Sequence, residues 1–262
     1  MQERGLAGMV VFAYDRYSPA LYYAIGQKIH FGMYIRAADG RAHLVHDPME
    51  RDQAEAAGCP HAPFEQHGMS RIQDEEIVPA RIFGRLIGEI AASLGMRGKL
   101  AWFGEVPVGL ADALLARARE ANPALGVDDG HPDILSLARM TKSDQEVEAI
   151  RHAAKGAVTA IERLRGYLAG LKREGDTFRA NGASPVKIGD LRRLLHGVFL
   201  EHGLEGGETI VSQGRDAGVP HNRGNDAEPL RAGTPILVDI FPGEAGGGYF
   251  STADIIQTDA AI

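Results

Sequence analysis

"VDIFPGEAGGGYFSTAD", Val238–Asp254, reads as a strand, a glycine-rich turn and a second strand. Asp239 follows the apolar run Ile236-Leu237-Val238. Burying an ionised carboxylate in such a run is costly unless the acid is paired or bound to a metal. Asp254 stands in the return strand. Neighbouring antiparallel strands can aim two carboxylates at one point, and divalent cations accept carboxylate oxygens. The plainer readings stay open here: Asp239 as a strand-end acid bonded to the turn, Asp254 as a solvated strand residue. His221, in "GVPHNRG" shortly before the hairpin, reads as a surface loop histidine or as a third polar group of the same site.

Outward from this hairpin, "ETIVSQG" supplies a further strand, and two amphipathic helices precede all three strands. "VKIGDLRRLLHGVFLEHG" is the second helix, stopped by Gly203. The first is the longest in the chain. Ser143 and Glu146 form a capping box at its start, and Val147, Ile150, Ala154, Ile161, Leu164, Leu168 and Leu171 form one apolar stripe. "LKREGDTFRANGASP" between the helices reads as a polar loop. Helix, helix, then antiparallel strands make an α+β unit.

The first half has a different rhythm. "GMVVFAY" is a buried strand, and "SPALYYAIG" a short helix with Ser18 as N-cap, Pro19 at the first position and Gly26 beyond the end. Asp39-Gly40 marks a hairpin within "GMYIRAADGRAHLVHDP". "MERDQAEAAG" is a short polar helix. A longer helix carries Ile82, Leu86 and Ile90 on one face. Strand "KLAWFGE" and helix "VGLADALLARAREANP" follow. This alternation implies an α/β layer. The polar stretch after residue 130 marks a boundary, giving expected domains 1–135 and 136–262.

The composition excludes several classes. The chain has 262 residues, 44% of them hydrophobic and 24% charged, as in soluble globular proteins. A net charge of −7 argues against non-specific nucleic-acid binding. The single cysteine, Cys59, permits no internal disulfide or Cys-rich zinc site and fits a cytoplasmic setting. No stretch has the roughly 20 apolar residues of a membrane span, and the start is no signal peptide. The other nine histidines look scattered, without an H-E-x-x-H pattern. "GEAGGGYF" lacks the Lys-Ser/Thr and following helix of a phosphate loop, and there is no G-x-S-x-G elbow.

Several motifs together resemble Xaa-Pro aminopeptidase/prolidase-type metallopeptidases, of the creatinase and methionine aminopeptidase superfamily with its pita-bread fold. "LYYAIGQ" resembles a segment of that family's N-terminal domain. "LARMTKSDQEVEAIRHAA" resembles the entry to its catalytic domain, through Arg139, Lys142, Ser143, Glu146 and Ile150. "GVPHNRG" matches the substrate-side histidine, here His221, and "PILVDIFPGEAGGGYF" matches the strand of the first metal aspartate, here Asp239. The resemblance implies an α/β creatinase/prolidase-like domain (mixed sheet with flanking helices) followed by the first half of an α+β pita-bread domain.

It also implies hydrolysis of the bond before proline in peptides with proline at the second position. A divalent metal pair (Mn, Co or Zn) would be held by two Asp, one His and two Glu, with His221 as the catalytic group steadying the tetrahedral intermediate. Homodimer contacts through the N-terminal domain are a further implication. Two departures stand out. The second metal Asp normally follows the Gly-Tyr almost at once. Here Thr252 takes its place without a gap, or Asp254 after a two-residue insertion, which preserves strand parity. Asp254 is expected, brought to the metal by a bulge or slide of the strand. The downstream His and both Glu ligands are also absent. The chain is therefore expected to be a C-terminally truncated portion, inactive alone. A non-catalytic peptide-binding or assembly module, and a creatinase-like or ectoine-hydrolase-like amidohydrolase, are the alternative readings.

Overall fold

The computed structural model describes residues 1–181, 184–245, 248–249 and the strand 253–257, the last by its backbone alone. It contains two compact units, 1–141 and 142–262.

In the first unit, β1 (Gly8–Ala13), β2 (Gly32–Ala37), β3 (Ala42–His46), β4 (His61–Pro63), β5 (Gly98–Phe103) and β6 (Leu125–Val127) form one sheet in the order β4-β3-β2-β1-β5-β6. The β1–β2 and β2–β3 pairs are antiparallel; β1–β5, β3–β4 and β5–β6 are parallel. The helices are α1 (Pro19–Ile25), α2 (Arg51–Ala56), α3 (Met69–Glu75), α4 (Pro79–Ser93), α5 (Val108–Ala121) and α6 (Ile134–Arg139). Every residue of β1 is buried because both faces are covered. Val10 and Phe12 join the core of α3, α4 and α5, whereas Met9 and Val11 join Leu21 of α1, Ala54 of α2 and Leu135 of α6.

Local chemistry sets the element ends. Ser18 Oγ accepts the Leu21 N–H at 3.2 Å, and Gly26 closes α1 at φ 70°. The segment 60–74, left without elements by the sequence pattern, holds β4, a 3₁₀ turn (Phe64–His67) and nearly all of α3. The boundary expected after residue 135 falls inside α6. That helix packs with the first unit: Leu135 is in its core, the Arg139 guanidinium lies 4.9 Å from the Tyr23 ring centre, and Arg139 Nη2 donates to the Pro19 carbonyl at 3.2 Å.

Four histidines expected to be scattered gather at the β3–β4 edge. His43 Nε2 lies 2.9 Å from His67 Nε2, and His46 Nε2 lies 3.2 Å from His61 Nδ1. Burial, and then the neighbouring histidines, hold His43 below the ordinary imidazole value; burial alone does so for His67. The unfolded chain therefore binds more protons than the native one just below pH 6.5. Stability is expected to be full above pH 6.5 and to fall as pH drops from there towards the lowered native values. The slope stays well under the ~1.4 kcal/mol per pH unit of one fully displaced proton, because both rings are half-exposed. Urea unfolding between pH 5 and 7.5 measures it, and the slope should shrink in His67→Gln.

In the second unit, α7 (Asp144–Ala169) begins at the capping box. Ser143 Oγ accepts the Glu146 N–H at 3.3 Å, and Ser143 N–H donates to Glu146 Oε2 at 2.7 Å. The apolar stripe holds at Leu164 and Leu168, but upstream the buried residues are Ala153, Gly156, Ala157 and Ala160. Small side chains admit a close neighbour: a Cβ on Gly156 would stand 2.4 Å from Leu204 Cδ1. The expected polar loop contains a hairpin of β7 (Lys172–Glu174) and β8 (Thr177–Arg179). After α8 (Ile188–Glu201) come β9 (Leu204–Glu205), β10 (Ile210–Gln213), β11 (Ile236–Ile240), β12 (Gly243–Glu244) and β13 (Ala253–Gln257). The order β10-β11-β13 is antiparallel throughout, and β12 pairs with β9.

Candidate functional site

Strand β11 divides its side chains between two environments. Ile236, Val238 and Ile240 are buried in one cluster with Val211 of β10 and the apolar faces of α7 and α8. Leu237 and Asp239 alternate with them and are half-buried. Asp239 thus lies on the sheet face turned away from the helices. Its register partner on β10 is Ile210, and Ser212 pairs with Leu237, so both share that face.

On its other side, Asp239 stands directly opposite Asp254, within five consecutive pairs from Ile236–Gln257 to Ile240–Ala253. The expected bulge or slide is absent from these pairs. Thr252, the alternative second position, lies outside the described residues. The turn before β13 is fastened at its described ends. Glu244 N–H donates to the Tyr249 carbonyl at 3.0 Å, and the Tyr249 hydroxyl donates to Glu146 Oε1 at 3.0 Å. Glu146 is held below the usual carboxylate range, first by the Ser143 N–H.

His221 is exposed, with φ 64°. It makes no hydrogen bond or ion pair among the described residues. Its loop is seated on β10: a Cβ on Gly224 (φ 72°) would fall 2.2 Å from the Val211 carbonyl oxygen, so glycine is required there. No hydrogen bond or ion pair joins His221 to Asp239 among the described residues.

Arg192 of α8 went unnoticed in the sequence. It donates to the Val211 carbonyl at 3.3 Å and to the Arg223 carbonyl, and pairs with Asp226. It therefore ties the His221 loop to the strand beside β11. An arginine on an amphipathic helix reads as solvated surface, so only the fold reveals this bond. His196, one turn on, is pushed below the ordinary imidazole value by burial and then by Arg192 and Arg223. Ser212 is fully buried, with its Oγ unpartnered among the described residues.

Asp239 and Asp254 occupy opposed register positions, and aspartate is a donor type that divalent cations accept. They fall short of the roughly three protein ligands of a catalytic zinc-type centre. Among the described residues no group of three or more His, Cys, Asp or Glu is placed to hold a metal.

A mixed sheet covered by helices, followed by two helices over an antiparallel sheet, gives this chain the fold of prolidases and Xaa-Pro aminopeptidases. The dipeptidase from Pyrococcus horikoshii OT3 superposes with a TM-score of 0.70 at 17% identity over 97% of this chain. The X-Pro aminopeptidase from Thermotoga maritima MSB8 gives 0.69 at 18% over 98%, and the prolidase from Pyrococcus furiosus 0.65 at 15% over 98%. The chain spans 62%, 64% and 64% of those three, respectively. No family model and no curated protein matches the sequence. No described helix is long and apolar enough to cross a membrane.

Proposed function

We propose that this chain carries part of a metal-dependent Xaa-Pro peptidase site, acting on peptides with proline at the second position. The observation that supports it is the register pair Asp239–Asp254 on the sheet face away from the helical core. These acids are the proposed holders of a divalent ion (Mn, Co or Zn). When bound, such an ion supplies an activated water and polarises the scissile carbonyl. His221 presents an exposed imidazole from a loop braced on β10, and its proposed role is to donate to the charge developing on the substrate oxygen. A cytoplasmic homodimer is the setting the reading expects.

Two carboxylates are expected to hold one ion weakly and to leave the substrate carbonyl unactivated. The expected result is measurable Mn2+, Co2+ or Zn2+ binding without hydrolysis of Xaa-Pro dipeptides. Asp239→Asn should lower that affinity by at least about tenfold, the scale seen even for outer-shell changes at metal sites. Calorimetric metal titration and a dipeptide assay on the same sample check both points. Turnover by the chain alone would refute its expected inactivity. A well-folded protein that takes up no ion would favour the non-catalytic peptide-binding module.

A further inference from the structure

The histidine edge of the first unit has no part in the peptidase reading. Strand β3 supplies His43 and His46, β4 supplies His61, and the 3₁₀ turn supplies His67. The two pairs they form are chemically different. His46 Nδ1 lies 2.7 Å from the Asp47 carbonyl, which only accepts, so Nδ1 carries the proton and Nε2 accepts from His61 Nδ1. His46 is 1% exposed, whereas His61 is half-buried.

His43 and His67 turn Nε2 against Nε2 at 2.9 Å, with ring centres 4.8 Å apart and planes crossed at 75°. Both rings are half-exposed, and neither makes another hydrogen bond among the described residues. Imidazole nitrogens bind borderline ions at ~2.0–2.1 Å. Two such nitrogens in adjacent positions of a square or octahedral ion stand roughly 2.9 Å apart, and roughly 3.3 Å apart on a tetrahedral ion, given those bond lengths. The observed separation is that of the N–H···N bond, and it places the two nitrogens at the spacing of adjacent positions on a tetragonal ion such as Cu2+ or Ni2+ once both lone pairs turn to a common point.

We propose that His43 and His67 form a two-imidazole site for a divalent tetragonal transition ion, Cu2+ or Ni2+, with water in the remaining positions. Binding replaces the N–H···N bond between the rings by two N–metal bonds. The proton on the donating Nε2 passes through solvent to Nδ1 of the same ring, so both imidazoles stay neutral. Burial lowers the proton affinity of both rings, so at neutral pH an ion competes mainly with the N–H···N bond between them rather than with a second ring proton.

The test uses the full chain with one equivalent of Cu2+ and no other ligand, read by electron paramagnetic resonance and calorimetry. The wild-type spectrum should show hyperfine splitting from two imidazole nitrogens. His67→Gln and His43→Gln should each lose it, with affinity down at least about tenfold. His61→Gln and Asp239→Asn should keep it, which separates this site from the proposed peptidase centre. Circular dichroism checks each fold. His67 sits in a surface turn, so His67→Gln decides the matter if His43→Gln does not fold. A two-nitrogen spectrum that survives in His67→Gln, or disappears in Asp239→Asn, overturns the proposal, as does a wild-type chain that takes up no copper.

Discussion

Phe199→Ala should destabilise the second unit by about 3–5 kcal/mol, the cost of emptying a large buried aromatic site. Phe199 is fully buried on α8, among the largest such side chains in the protein. It belongs to the cluster that includes Val211 of β10 and Ile236, Val238 and Ile240 of β11. The site has little freedom to collapse. On one side, a Cβ built on Gly206 would come within 3.0 Å of Phe199 Cδ2; on another, the His196 ring centre is 6.0 Å away. Phe199→Leu keeps most of the volume and should cost clearly less. Thermal and urea unfolding followed by circular dichroism give both values. A loss below about 1 kcal/mol for the alanine variant would mean that α8 relaxes onto the sheet, contrary to close packing. Because Asp239 alternates with Val238 and Ile240, the same variant should also weaken the proposed metal uptake while leaving Asp239 in place.

Where a residue type forces a local geometry, the fold could be read directly. Ser143 with Glu146 marks the start of α7, Ser18-Pro19 with Gly26 brackets α1, and Asp39-Gly40 turns β2 into β3. Where tertiary packing supplies the reason, the pattern was silent. Lys172–Glu174 and Thr177–Arg179 pair although only Phe178 among them is buried. Alanine and glycine line the upstream half of α7, where a hydrophobic-stripe reading looks for larger residues. The site divides the same way. Asp239 was conspicuous because an acid interrupts an apolar strand, and Asp254 because a strand resumes around it. The bonds from Arg192 to Val211 of β10 and to Arg223 of the His221 loop link residues 19 and 31 positions apart and leave no periodic trace. The histidine pairs were hidden because His61 and His67 come from a segment with no element signal of its own.

Gly84→Ala and Gly88→Ala together should destabilise the first unit by about 2 kcal/mol or more, although alanine is the better helix former. Two effects oppose each other. Each substitution gains up to ~1 kcal/mol of helix propensity. Each also places a methyl group where α5 already lies. A Cβ on Gly84 would stand 2.4 Å from the Leu114 carbonyl oxygen, and one on Gly88 2.5 Å from the Ala118 carbonyl oxygen and 2.7 Å from Ala121 Cβ. Normal carbon–oxygen contacts begin near ~3.3 Å. The nearest atoms are backbone, so no side chain can swing aside, and α4 must move off α5. That movement disturbs the core that Phe83, Leu86, Ile87 and Ile90 of α4 share with Leu114 of α5. Overpacking of this kind costs roughly 1–3 kcal/mol per site, more than propensity returns. Both sites demand the same displacement, so the double variant should lose less than the sum of the singles. Gly166→Ala on α7 is the matched control. Nothing lies within 4 Å of its Cβ, so propensity acts alone and the second unit should gain about 0.5–1 kcal/mol. Unfolding curves for the four variants decide the matter: stabilisation at Gly84 or Gly88 would mean that the α4–α5 seam is looser than these contacts require.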